Sequence, residues 1–392
     1  MVDFQLSNTL KILLNQIIDG KQQIEDTVLK EIPTIDFLQT LIHIHYTEGL
    51  YDISDIHNLI HHYNIHSEIE LQHVYVSLDD DHPLNILIRE NDSFNIQLNS
   101  LKDKLPGLEV NKDSSIIENE LQALSKVYAH YNRKEKLLFP LLERHQIYTL
   151  PRKMWALDDD IRSHYNQLRN RIKRIHEIEF RHIKTSFDLL FNDMHKMMLY
   201  EEDILIPFIQ ELFNEADFVR IANESAAFGY AVNVNRVWNV QSLPLKQRDE
   251  SIDYTQNIKI GGGYLTLKEA ELILNNLPVE ITFVDKNGLF KYFNEITSSA
   301  NMMFIRTPLS IGRHVANCHP PKSLKKVMKI MRMLKNKEES SVTMWFKKGD
   351  EFIYVTYKAL FDEHDEYQGI LEYVQDIQPF IDLPKSIKRD IN

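Results

Sequence analysis

The chain has a single cysteine in 392 residues. One thiol cannot close an internal disulfide, and alone it cannot hold an iron–sulfur cluster or a thiolate zinc site. That usage fits a reducing compartment. No apolar run reaches membrane-spanning length, and the opening stretch MVDFQLSNTLKILLNQIIDG lacks a basic segment leading into an apolar run and a cleavage site. A cytoplasmic protein with no membrane partner is the expectation. Also missing are a protein-kinase ATP set, a P-loop, a G-x-S-x-G elbow, a c-type haem attachment string and an obvious DNA-reading helix-turn-helix. The formal net charge of -12 argues against broad nucleic-acid binding.

What is present is ordinary globular composition, 43% hydrophobic and 26% charged, in a chain too long for one core. Residues 1–75 carry apolar residues at helical spacing and read as a small helical domain. Residues 80–215 hold longer helical segments over 83–104, 115–144, 153–173 and 175–214. Breaks are expected at Pro106-Gly107, Tyr148 to Pro151 and Ile206-Pro207. Such segments with short connections predict an antiparallel four-helix bundle. Residues 216–265, polar and ending in three glycines, read as a linker. From 266 to 384 the pattern is α+β: a helix ending before Pro278, two strands about Asp285-Lys286-Asn287-Gly288, an amphipathic helix, then three strands.

Histidines and carboxylates recur in the bundle segments. HYNRKEKLLFPLLE (130–143) and HKMMLYEEDILIPFI (195–209) share a shape: histidine, glutamate, aliphatic residues, proline. DDDHPLNILIREN supplies His82 and Glu90, and MWALDDDIRSHYNQL supplies Asp158 and His164. Imidazoles with carboxylates are the donors a non-haem iron or manganese pair needs, and four helices can aim them into one core. Candidate metal ligands are therefore His82, Glu90, His130, Glu135, Asp158, His164, His195, Glu201 and Glu202. His130 and Glu135 are five apart, about 140° on an ideal helix, so they do not share one ion there. A buried carboxylate without a metal needs a cationic partner, and Arg133 and Lys134 are at hand.

The strings DHPLNILIREN, HYNRKEKLLFPLLERH, MWALDDDIR and YEEDILIP resemble the bacterial hemerythrin-like domain that lies between an N-terminal helical domain of uncharacterised (DUF438) type and a C-terminal PAS domain. LNNLPVEITFVDKNGLFKYFN, IGRHVANCHPPKS and GILEYVQDIQPF resemble the PAS part, so the resemblance covers nearly the whole chain. It implies two irons held by histidines and two carboxylates. By position, His82 and His130 take two histidine places. Counted back from Pro140, the second-helix glutamate place holds Lys134, with Glu135 beside it. Counted back from Pro207, the last-helix places hold Met197 and Glu201. The third-helix histidine place holds Asp158. These departures leave open an altered site, a single ion, or none.

The PAS resemblance implies small-molecule sensing or pairing with a protein partner or a second copy. Tyr292, Phe293, Met302, Met303, Phe304, Trp345 and Tyr354 are pocket or core residues there. In NCHPPKS (317–323), Pro320 and Pro321 fix a helix entry with Ser323 near its N-cap. Cys318, His319 and His314 are either packing residues or ligands to a haem, and Cys318 is alternatively a reactive thiol. The expected function is a sensor or regulator with non-haem iron, as one ion or a diiron pair, meeting oxygen, nitric oxide or a redox ligand. Alternatives are a diiron enzyme of nitric oxide or peroxide detoxification or iron–sulfur repair, a metal-free interaction module, and a haem sensor.

Overall fold

The computed structural model describes residues 4–20, 32–49, 51–66, 79–239 and 254–384. The chain divides into two compact units, Met1–Gln241 and Ser242–Asn392.

In the first unit, helices α1 (Phe4–Ile18), α2 (Thr34–His43) and α3 (Ile53–His66) come first. Their buried faces repeat at three- and four-residue steps, as in Leu10, Leu13 and Leu14, Phe37, Leu38 and Leu41, and Ile56, Leu59 and Ile60. Helix α4 (Pro83–Asn111) starts at His82, whose Nδ1 accepts a hydrogen bond from the Leu84 N–H at 3.2 Å. Pro83 follows at a position that needs no N–H. The break expected at Pro106-Gly107 does not occur, and α4 runs on to Asn111. Pro106 is on the exposed side, while Leu101, Leu105 and Leu108 are buried; their packing outweighs the single backbone bond lost.

The bundle continues through α5 (Glu118–Leu124), α6 (Val127–Arg133), α7 (Phe139–Arg144), α8 (Thr149–Lys173), α9 (Phe180–Leu199) and α10 (Ile206–Leu212). Two π-helical turns interrupt it, Lys134–Leu138 between α6 and α7 and Tyr200–Leu205 between α9 and α10. Each closes on an i→i−5 bond, Phe139 N–H to Lys134 O and Ile206 N–H to Glu201 O. Each is followed by a proline, Pro140 or Pro207, with no N–H to offer the carbonyl four residues back. Widened turns of this kind recur where a helix serves a site.

Helix α11 (Glu215–Ser225) begins with a capping box between Asn214 and Asp217. Residues 226–239 then run without helix or strand. Residues 226–239, and all of α11 but Glu215, fall in the stretch 216–265 read as linker.

In the second unit, β1 (Ile258–Ile260) and β2 (Gly263–Leu265) form a ribbon, followed by α12 (Leu267–Asn275). Strands β3 (Glu280–Asp285), β4 (Phe290–Phe293), β5 (Val342–Lys348), β6 (Glu351–Phe361) and β7 (Tyr367–Asp376) make an antiparallel sheet ordered β4-β3-β7-β6-β5. Helix α13 (Pro321–Lys335) lies between β4 and β5 in the chain, and α14 (Gln378–Ile381) comes last. Asp285 Oδ1 accepts from the N–H groups of Asn287 and Leu289 and shapes the β3–β4 turn. Gly288 completes it at φ 80°, where a Cβ would stand 2.8 Å from His314 Nε2.

The pocket or core group read from sequence divides. Phe293 and Met302 join one apolar cluster, and Met303 and Phe304 pack on another around Ile353, Val355 and Val374. Trp345 is 61% exposed and stacks on Tyr354, on the face opposite the buried Ile353 and Val355 that flank Tyr354 in β6. Among the described residues, no helix is long and apolar enough to cross a membrane.

Candidate functional site: a buried ion network in the helical bundle

Four buried carboxylates face four cationic groups inside the bundle. At the centre is Lys134, at the start of the first π turn and fully buried. Its ammonium donates to Asp158 Oδ1 at 2.8 Å, to Met197 Sδ at 3.1 Å and to Glu201. Those three contacts use all three N–H bonds of a lysine. The Tyr131 ring lies 4.2 Å from the same nitrogen.

His130 is fully buried between two more carboxylates. Its Nδ1 is 2.7 Å from Glu90 Oε2, and its Nε2 is 3.1 Å from Glu201 Oε2. An ionised carboxylate only accepts, so both ring nitrogens donate and the ring is an imidazolium. Burial pushes the His130 pKa down, but Glu201 and Glu90 outweigh burial and raise it. Burial likewise opposes ionisation of Glu90 and Glu201. Arg133 and His130 around Glu90, and Lys134 and His130 around Glu201, bring each to about 2. Asp158 goes the other way: burial raises its carboxyl pKa, against the pull of Lys134.

Arg133 donates to Glu90 and, through Nη1, to the Gly229 carbonyl. Arg162 donates to Glu135 at 2.7 Å. Glu135 therefore faces Arg162 while His130 faces Glu90 and Glu201. Beside Arg133 and Lys134 is a cavity of about 20 Å³, room for one water. Asp81, Tyr230, Arg236 and Trp238 help to line it.

The remaining candidates lie elsewhere. His82 caps α4 under the rings of Phe218 and Trp238, and burial lowers its pKa to about 4 against Asp79. His164 Nδ1 is 2.9 Å from Asp193 Oδ2. His195 donates from Nδ1 to the Phe191 carbonyl and stacks on the Phe191 ring. Glu202 is exposed and accepts from Asn91. The structure thus gathers Glu90, His130, Asp158 and Glu201 into one network and leaves His82, His164, His195 and Glu202 outside it. Sequence reasoning missed Arg162, which lies in the same MWALDDDIR string as Asp158, and the covering segment 226–239.

That segment is tied to the network itself. Ala231 N–H donates to Glu90 Oε1 at 2.7 Å, and Asn235 N–H to Asp81 at 3.0 Å. Arg89 donates to the Asn233 carbonyl, the Tyr230 ring lies 4.7 Å from Arg133, and Arg236 pairs with Asp79.

In the second unit, His314 caps the turn Val315–Asn317, its Nδ1 accepting from Ala316 N–H. Cys318 Sγ lies 3.6 Å from the His314 carbonyl and packs against Val284, Phe290, Phe293, Met302 and Val315. His319 is half-buried. Pro320 precedes α13, Pro321 opens it, and the Ser323 hydroxyl donates back to Pro320 O rather than capping the helix. Arg306 bridges Glu280 at 2.7 Å and Glu372 at 3.1 Å beneath the sheet.

Two family models match the chain. Residues 82–209 match the hemerythrin HHE cation binding domain, and residues 270–378 match a PAS domain. The chain carries a hemerythrin HHE domain followed by a PAS domain. Helices α1 to α3 lie outside both matches. A solved C-terminal domain from Streptococcus mutans is 48% identical over 34% of this chain and 100% of its own, with a TM-score of 0.33. The PAS domain of a protein from Colwellia psychrerythraea is 17% identical over 29% of this chain and 98% of its own, with a TM-score of 0.23. No curated protein matches.

The HHE family's description calls for a cation, and the donor set decides whether a metal fits. Glu201 and Asp158 already hold Lys134, and Glu90 holds Arg133 and His130. Both His130 nitrogens carry protons, whereas a metal needs a lone pair. Among the described residues, no three His, Cys, Asp or Glu side chains stand ready to hold a metal ion. An iron pair does not fit this arrangement of side chains.

Proposed function

We propose that this HHE–PAS protein is a sensory or regulatory protein in which the charged core of the bundle and the PAS domain act on one another through segment 226–239. One observation carries this reading: Glu90 receives a hydrogen bond from Ala231 while it also holds Arg133 and His130. A change of charge or occupancy in the core therefore reaches the covering segment through one carboxylate. From there the chain leads on to the PAS domain. Hydrogen exchange on wild type and Glu90→Gln tests this. Faster exchange at residues 229–238, together with altered exchange between 270 and 378, supports it. Unchanged exchange throughout the PAS domain sinks it.

A second reading is an iron-loaded bundle that meets oxygen, nitric oxide or a redox ligand. The meeting of Glu90, His130, Asp158 and Glu201 in one buried core favours it, since these are iron-type donors. It requires Lys134 to leave the core. Elemental analysis of anaerobically purified protein distinguishes the two, and an optical spectrum of the same sample reports any haem at Cys318, His319 or His314.

A further inference from the structure

We infer that Lys134 is the resident cation of the HHE core: its ammonium occupies the place a metal ion would take among Asp158, Met197 and Glu201, and the native core is metal-independent. The inference stands apart from the coupling role of segment 226–239.

Three observations converge. Lys134 is fully buried, and its three N–H bonds each meet an acceptor on a different helical segment: Asp158 on α8, Met197 on α9 and Glu201 in the second π turn. That is the geometry of a coordinated ion supplied by the chain. Second, Lys134 and Glu201 hold equivalent places in two matched strings. KEKLLFP opens the first π turn, EEDILIP starts at the second residue of the other, and each reaches a proline six residues on. A carboxylate in the first place would leave two acids facing each other and call for an external cation. The lysine removes that need. Third, every acid of the core has a cationic partner. Glu90, Glu135, Asp158 and Glu201 face His130, Arg133, Lys134 and Arg162. A metal ion entering this set has to expel the ammonium from Asp158, Met197 and Glu201 and leave it to be solvated elsewhere.

Removing the lysine should therefore open a metal site. The vacated place is bounded by two carboxylates and a thioether, with His130 beside Glu201. These are donors for a divalent first-row ion.

The experiment compares wild type and Lys134→Ala as full-length proteins, purified without oxygen and treated with iron(II) or cobalt(II). Wild type is expected to retain well under one ion per chain and to melt at the same Tm with and without metal. Lys134→Ala is expected to melt lower, to take up one ion per chain, and to regain Tm on loading. Adding Asp158→Asn to the alanine variant should abolish the uptake. Wild type that holds one or more ions per chain, with Tm falling on chelation, overturns the inference. So does a folded Lys134→Ala that takes up no ion, because the lysine then fills no metal-competent place. If Lys134→Ala does not fold, the wild-type measurement decides alone.

Discussion

Lys134 tests the energetics of the core most directly. Methionine keeps much of its length but removes the charge, which leaves Asp158 and Glu201 buried beside an apolar tip. Breaking a buried pair in this way costs about 3–5 kcal/mol. Lys134→Met should lower the urea midpoint accordingly, and a midpoint equal to wild type would contradict the ion network. The pH dependence follows from the same groups. Glu90 and Glu201 ionise near 2 in the folded chain against an ordinary 4.5. Their contribution is present above 4.5 and is lost as pH falls towards 2, because the unfolded chain binds the protons first. His130 has the opposite sign. Its pKa is raised on folding, so its contribution is whole below the ordinary histidine pKa of 6.5 and fades as pH rises through the folded value. Urea midpoints across pH should therefore fall at both ends, and His130→Gln should flatten the alkaline limb.

At the scale of elements, the prolines tell how much the sequence disclosed. With the family resemblance as guide, counting back from Pro140 and Pro207 singles out Lys134, Met197 and Glu201, and the resembling string around Asp158 adds the fourth member of the Lys134 cluster. Periodicity also shows the helices of the bundle and the strands of the second unit, because both bury one face at a regular step. What it does not show is direction across the core. A lysine next to a glutamate reads as a surface pair, and nothing local says that the amine turns inward while Glu135 turns to Arg162. Pro106 misleads for the reverse reason: its local cost is visible, while the burial of Leu101, Leu105 and Leu108 that offsets it is a tertiary fact. The covering segment 226–239 has no periodic signal, since its backbone groups are satisfied by side chains of the bundle. Its attachment is testable at Ala231. Proline there removes the N–H that Glu90 accepts, a bond to a charged group worth roughly 1.5–3 kcal/mol. Ala231→Pro should speed exchange over 229–238 and shift Trp238 emission to the red, leaving the helical content unchanged.

For the whole molecule, the first unit joins α1 to α3 to the bundle through charged and aromatic contacts. His57 Nδ1 is 2.6 Å from Asp203, and the rings of His45 and Tyr46 lie against Tyr200. A fragment beginning at residue 79 should therefore melt below one beginning at residue 1, with both ending at 241. The second unit has its own apolar clusters, around Val284, Leu334 and Ile353. A fragment beginning at Ser242 should fold alone with a cooperative transition, as calorimetry can show.

The enclosure of Lys134 also makes it a natural reporter of opening. Amine-acylating reagents need a deprotonated, reachable nitrogen, and this one has all three hydrogens engaged at zero exposure. Most lysines among the described residues are exposed and will be labelled quickly. Lys134 should be modified only when the bundle opens, so its rate of labelling, read by mass spectrometry, times that opening without any dye, mutation or added ligand.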